Sequence, residues 1–302
     1  MPLMGQKYTK PRLLTKVNAW AGDESLLAGG RPKVRWRCDC SFIRFILVIH
    51  QILAHVGYNL QDEMIKKFKD ISELSQYAAR SFIEIAKRSI EERGRFLASL
   101  SGGSTPMRLY ELLGDQFQNQ VDWSLVHFFW GDERCVPVDD SGNSYGQTKK
   151  VFFDKIQIPN ENIHRVLSEL EPDSAAKDYA NTLKAFSEPP LDWPRFDLAL
   201  LGMGDDGHTA SLFPGSPVDV DSATLAVTAN YQNDPSMRVT MTQLVFNDAR
   251  EVWFLVTGKD KAETLLNVLD GVYKPKLYPA QRIKPTDENL VWMIDEEAAS
   301  LL

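Results

Sequence analysis

Cysteine is scarce in this sequence: Cys38, Cys40 and Cys135 are the only three among 302 residues. Three thiols, two of them separated by one residue, cannot build the disulfide framework of a small secreted domain, so a reducing, cytoplasmic compartment is expected. Cys38 and Cys40 lack a second Cys/His pair at zinc-ligand spacing, which argues against a structural zinc site. Basic residues are in deficit as well, and unevenly. Residues 1–60 hold nine Lys/Arg against three Asp/Glu, a net charge of +6, leaving 25 against 38, or −13, for residues 61–302. An acidic body argues against bulk nucleic-acid binding, which needs many cations on one face, but not against a small phosphorylated ligand held by a few. A long hydrophobic run is missing too. The nearest candidate, Phe42–Leu60, is broken by Arg44, His50, Gln51 and His55. It falls short of the ~20 apolar residues of a membrane span, and it lies too far from the N-terminus for a signal peptide.

What is present begins after residue 60. The first 60 residues show no clean period and are read as a basic, poorly ordered extension; a functional start near Met64 is expected, with a single domain over 61–302. Ile71, Leu74, Ala78, Phe82 and Ile85 recur at helical spacing, which predicts a helix from Ile71 to about Glu92 that Gly94 ends. Phe96–Leu100 reads as a buried strand. It runs into Ser101, Gly102, Gly103, Ser104, Thr105 and Pro106 at the start of another helix, and a Gly/Ser loop at a helix start is a ready anion site. Leu125–Trp130 is a further strand, leading into a loop that carries Asp132, Glu133 and Arg134. Asp140–Tyr145 reads as a polar turn, with helices over Thr148–Ile156 and Pro172–Leu183.

The apolar run Leu198–Leu201 passes without a spacer into Gly202, Gly204 and Gly207, with Asp206 and His208 on the same loop. Strands follow at Thr224–Thr228, Arg238–Met241 and Val252–Thr257, then a helix opened by Lys261, a last strand at Val291–Ile294 and a short helix capped by Asp295. Strands alternating with helices predict an α/β fold: three layers, a mainly parallel Rossmann-like sheet with helices on both faces. In such sheets ligands bind beyond the carboxyl ends of the strands, where both glycine-rich loops fall.

Gly202, Gly204 and Gly207 spell GxGxxG, the dinucleotide fingerprint, but Asp205 and Asp206 would then face a pyrophosphate. His208 is one of only five histidines and lies two residues from Asp206, a carboxylate suited to orient it as a base near neutral pH. Ser211 lacks a GxSxG elbow, so an activated water is the more economical nucleophile. A lysine at a helix start does not suit the dipole there, and Lys261 instead suits a bound anion.

SGGSTP at Ser101–Pro106, GDERCVP at Gly131–Pro137, LGMGDDGHTASLFPG at Leu201–Gly215, RVTMT at Arg238 and GKDKA at Gly258–Ala262 together resemble the 6-phosphogluconolactonase family, as do YPA and VWMIDEEAA near the C-terminus. The resemblance covers residue 64 to the end. It implies the fold shared with glucosamine-6-phosphate deaminase and ribose-5-phosphate isomerase, and hydrolysis of 6-phospho-D-glucono-1,5-lactone to 6-phosphogluconate in the oxidative pentose phosphate pathway. Neither metal nor cofactor is implied. His208 would be the general base and Asp206 its orienting partner. Ser101, Gly102, Gly103, Ser104 and Thr105, with Asp132, Arg134, Arg238 and Lys261, would bind the phosphate and sugar oxygens. The partner would be a small sugar-phosphate lactone, with no nucleic acid or membrane, and the protein a monomer or small homo-oligomer. Two alternatives stay open: a glucosamine-6-phosphate deaminase or isomerase, and a non-catalytic sugar-phosphate sensor on the same fold.

Overall fold

The computed structural model describes residues 64–231 and 234–302; the basic segment before residue 61, its cysteine pair and the boundary expected near residue 60 lie outside the described residues. Seven strands form one parallel sheet: β1 (Ile65–Phe68), β2 (Phe96–Leu100), β3 (Val126–Trp130), β5 (Ile163–His164), β6 (Leu198–Leu201), β9 (Val252–Val256) and β10 (Leu290–Asp295). They lie in the order β1-β10-β9-β6-β2-β3-β5. The chain leaves β2 towards β3 on one side and β6 towards β9 on the other, so the winding reverses between β2 and β6. A crevice opens at such a switch point beyond the strand ends. Every residue of β2, β6 and β9 is buried, which is why these strands read as unbroken apolar runs without alternation.

Helices cover both faces. On one lie α1 (Ile71–Arg93), α2 (Ser104–Gln116) and α3 (Ser144–Val151), packed on Phe96, Ala98, Leu100, Phe128 and Trp130. Phe128 is fully buried and meets the rings of Phe82, Trp123, Phe152 and Phe153 within 5.2 to 6.3 Å. Its loss should cost about 3–5 kcal/mol. On the other face α4 (Pro172–Lys184), α5 (Gln243–Asn247) and α6 (Ala262–Leu269) pack on Leu97, Phe129, Leu201 and Phe254. The limits of α1 follow from its ends. The Asp70 carboxylate accepts from the Ser72 and Glu73 amides at 3.0 Å, and Gly94, at φ 75°, stops the helix.

The strands β1 and β5 and the helix α5 were not expected from the sequence, and three further segments take a form other than the expected one. The helix expected at Thr148–Ile156 begins at Ser144, inside the expected polar turn, because Asn143 caps it and the buried Glu133 carboxylate accepts the Ser144 and Tyr145 amides at 2.8 Å; Phe153–Lys155 forms a separate 3-10 turn. The C-terminal segment forms turns, not a helix. Asp295 does accept the Ala298 amide as expected, but it is shared with Gly258, and no helical ladder follows. The largest departure is a second sheet. Asp132–Arg134, expected as a loop, is strand β4, which pairs antiparallel with β8 (Asp234–Met241), itself paired with β7 (Thr224–Tyr231). No described helix is long and apolar enough to cross a membrane.

Candidate active site

The floor of the site is set by two tyrosines, one from each face of the sheet. Tyr110 on α2 accepts the Ser101 amide at 3.0 Å and donates to the Ser101 carbonyl at 2.9 Å. Tyr179 on α4 does the same for the Trp130 amide and carbonyl at 2.7 and 2.9 Å. Burial pushes both phenols above their usual range, so both remain neutral and able to donate. The ends of β2 and β3 are thereby fixed where the loops begin. Beyond Ser101, a Cβ on Gly102 would fall 2.5 Å from Ser144 Oγ, and Gly103 turns the chain with φ 102°. Gly103 offers α2 no side-chain cap, and Ser104 and Thr105 of its first turn line the crevice.

The loop after β6 places the histidine. The Gly204 amide donates to the His208 carbonyl at 2.9 Å, and Gly207, with φ 82°, donates to the Gly204 carbonyl at 3.1 Å. A Cβ on Gly204 would lie 2.1 Å from His208 Nδ1, so only glycine leaves room for the imidazole. Asp206 Oδ1 lies 2.6 Å from His208 Nδ1 and also accepts the His208 amide at 2.9 Å. Partial burial alone would raise the Asp206 carboxyl, but its bonds to His208 outweigh this and hold it below the usual carboxylate range. An ionised carboxylate can only accept, so Nδ1 is the donor in this pair.

The second sheet brings the cations together. Arg134 on β4 and Arg238 on β8 are cross-strand partners, and both line the crevice. Like charges directly opposite each other destabilise an antiparallel pair, so an anion between them would relieve the strain. Arg134 Nη1 donates to the Gly142 carbonyl at 2.8 Å; Arg238 Nε donates to Ser236 Oγ at 3.0 Å and its guanidinium lies 3.9 Å from Asp132. Lys261, just ahead of α6, lines the same crevice and lies 2.9 Å from Asp260.

Every expected site residue except Asp206 thus lines one cavity of 220 Å³, and Asp206 touches it through His208. The sequence reading missed Ser144 and Thr257. Thr257 Oγ1 is 2.8 Å from Thr105 Oγ1, and the only available signal was its place at the end of a strand, before Gly258. Asp132 is 8% exposed and accepts from Ser211 Oγ at 2.6 Å, a bond between two buried side chains. The dinucleotide fingerprint also fails. Turns, not a helix, follow Gly207, so no helix N-terminus receives a pyrophosphate. A larger groove of 840 Å³ lies at the opposite, amino end of the sheet.

The sequence profile described as glucosamine-6-phosphate isomerases/6-phosphogluconolactonase matches residues 69–292. The chain belongs to this family. A 6-phosphogluconolactonase of Haemophilus influenzae is 40% identical over 205 residues, 68% of this chain and 86% of that protein. One from Synechocystis is 39% identical over 217 residues, 71% of this chain and 88% of the relative. The crystal structure of a 6-phosphogluconolactonase from Thermotoga maritima superposes with a TM-score of 0.67 at 29% identity, covering 77% of this chain and 99% of that one. A monomeric glucosamine-6-phosphate deaminase, 23% identical, shares the fold with a TM-score of 0.69. The fold expected from the sequence is therefore the fold found.

Proposed function

We propose that this chain hydrolyses 6-phospho-D-glucono-1,5-lactone to 6-phosphogluconate, the lactone-opening step of the oxidative pentose phosphate pathway. The observation that carries the reading is the cavity that sets the Asp206–His208 pair against a Gly/Ser loop at the start of α2, an opposed arginine pair and Lys261. His208 Nε2 takes a proton from water as the oxygen attacks the lactone carbonyl carbon. The tetrahedral adduct then collapses with cleavage of the ring C–O bond, and the imidazolium returns its proton to the departing ring oxygen. Asp206 holds the tautomer and balances the transient positive charge. The amides of the α2 N-terminus, the Ser101, Ser104 and Thr105 hydroxyls, Arg134, Arg238 and Lys261 bind the phosphate and sugar oxygens and so orient the carbonyl towards the base. Asp132 keeps Arg238 and Ser211 in place at the cavity wall. The catalytic unit is a single domain beginning near residue 61, active without an added metal or cofactor.

A lactone is an activated ester that opens unaided, so one positioned base, worth about 10²- to 10⁴-fold, suffices. The test is the decay of freshly generated lactone, followed by coupled oxidation of 6-phosphogluconate with EDTA present. Wild-type protein should outrun the spontaneous rate, and His208→Ala should lose turnover by about 10²- to 10⁴-fold while still binding 6-phosphogluconate. Decay at the spontaneous rate with wild-type protein would overturn the reading and make glucosamine 6-phosphate the next substrate to assay.

A further inference from the structure

A single hydrogen bond defines a point and not a plane. Asp206 holds Nδ1 of His208, and the direction of Nε2 depends also on what packs against the face of the ring. One such contact is an aromatic ring outside the cavity. Phe213 lies against the imidazole with centroids 4.5 Å apart and planes 34° apart. The Arg238 guanidinium stands 5.4 Å from the same ring centroid. One side chain, absent from the cavity lining, therefore backs both the histidine and one of the cations that do line it.

The backbone around Phe213 is anchored on both sides. Ser211 donates its amide to Thr240 Oγ1 at 3.2 Å and its hydroxyl to Asp132 at 2.6 Å. Thr240 lies on β8, the strand of Arg238, and Asp132 on β4, the strand of Arg134. The Leu212 amide donates to the Thr209 carbonyl at 2.9 Å, Ala210 accepts a positive φ of 47° to close this turn, and the Gly215 amide donates to the Lys276 carbonyl at 2.8 Å. The ring is thus carried on the framework that positions both arginines.

We infer that Phe213 is a positioning residue that couples the base to the phosphate-binding cations: its ring packs against the imidazole and attracts the Arg238 guanidinium. The inference rests on the roles proposed above for His208 and Arg238. An aliphatic chain of similar volume fills the space but offers no negative π face to a cation, so volume and aromaticity are separable by substitution.

Phe213→Leu should lower kcat about 10- to 100-fold, the order expected when a base is misplaced by about 1 Å. It should also raise KM about 2- to 30-fold, as a lost cation–π contact does. Phe213→Tyr, which keeps the ring, should retain both parameters within about 3-fold by the same comparison. In an Arg238→Ala background the KM increment of Phe213→Leu should vanish, because the cation it acts through is gone. Circular dichroism and thermal melting establish that each variant is folded, and Phe213→Met replaces Leu in the comparison should Leu fail to fold. Wild-type kcat and KM in folded Phe213→Leu would overturn the inference while leaving the lactonase reading intact. Equal damage from Tyr and Leu, or a KM increment that persists undiminished without Arg238, would reduce Phe213 to packing and also overturn it. Retained turnover in His208→Ala would remove the base itself, and with it both the mechanism and this inference.

Discussion

The two ends of the seven-stranded sheet carry the same kinds of charged side chain and use them in opposite ways. At the amino end a groove of 840 Å³ is bordered by Arg93, Arg195, Arg250, Asp197 and Asp287, and the charges close on one another. Asp197, 5% exposed, accepts the Leu97 amide and Arg93 Nε at 2.8 Å and has Arg250 Nε at 3.4 Å, while Arg195 pairs with Asp287. At the carboxyl end a cavity of only 220 Å³ holds two arginines opposite each other on neighbouring strands, a lysine, a helix start without a side-chain cap and a histidine oriented by an aspartate. Volume does not mark the site. The difference lies in the backbone: glycines with positive φ and the reversal of winding between β2 and β6 gather these polar groups around one crevice.

The sharpest break in this comparison is Gly204→Ala. The added methyl would sit 2.1 Å from His208 Nδ1, so the imidazole must leave its place, and kcat should fall about 10²- to 10⁴-fold, the full worth of the base. Steady-state kinetics beside a thermal melt separates this from unfolding. At the other end Asp197→Ala should act on stability alone, costing about 3 kcal/mol in urea titration because an arginine and a buried amide lose their acceptor, with kcat unchanged in the folded protein.

Lys261→Ala should raise KM about 10-fold with little change in kcat, since an anchor remote from the carbonyl contributes nearly uniform binding. An unchanged KM would remove Lys261 from the phosphate site. The smallest effect belongs to His164, whose Nε2 lies 3.1 Å from His127 Nδ1 and whose ring lies 4.6 Å from that of Phe186 in the amino-end groove. Burial first, and His127 second, lower its pKa from 6.5 to about 4. The fold thus favours neutral His164, and the unfolded chain takes up the proton first as pH falls through 6.5. Stability contributed by this group declines from there to about pH 4 and no further. His164→Gln should flatten that stretch of the Tm against pH curve.

The carboxyl-end loops were legible because chemistry and chain order coincide there. Gly102 and Gly103 follow β2 directly, Gly204 and His208 follow β6 directly, and an apolar run ending in glycines and polar groups carries its own address. The second sheet was not legible. Asp132–Arg134 is a polar strand of three residues with no alternation to detect, and its pairing with Arg238 spans 104 positions, so the opposition of the two arginines exists only in the register. The early start of α3 was hidden for a related reason. Asn143 is a visible cap, but the acceptor of the Ser144 and Tyr145 amides, Glu133, comes from an earlier strand. Phe213 reads as one more apolar residue until His208 and Arg238 are seen beside it.

The paired tyrosines also govern how the protein opens. Each occupies the donor and acceptor of one residue at the end of a central strand, Ser101 for Tyr110 and Trp130 for Tyr179, and each is itself buried in the packing of its own helix. The two strand ends therefore cannot fray without drawing helices out of both core layers at once. The floor of the cavity should therefore belong to the last cooperative unit to open, its amides exchanging only with global unfolding while the rims of the glycine loops above it exchange faster.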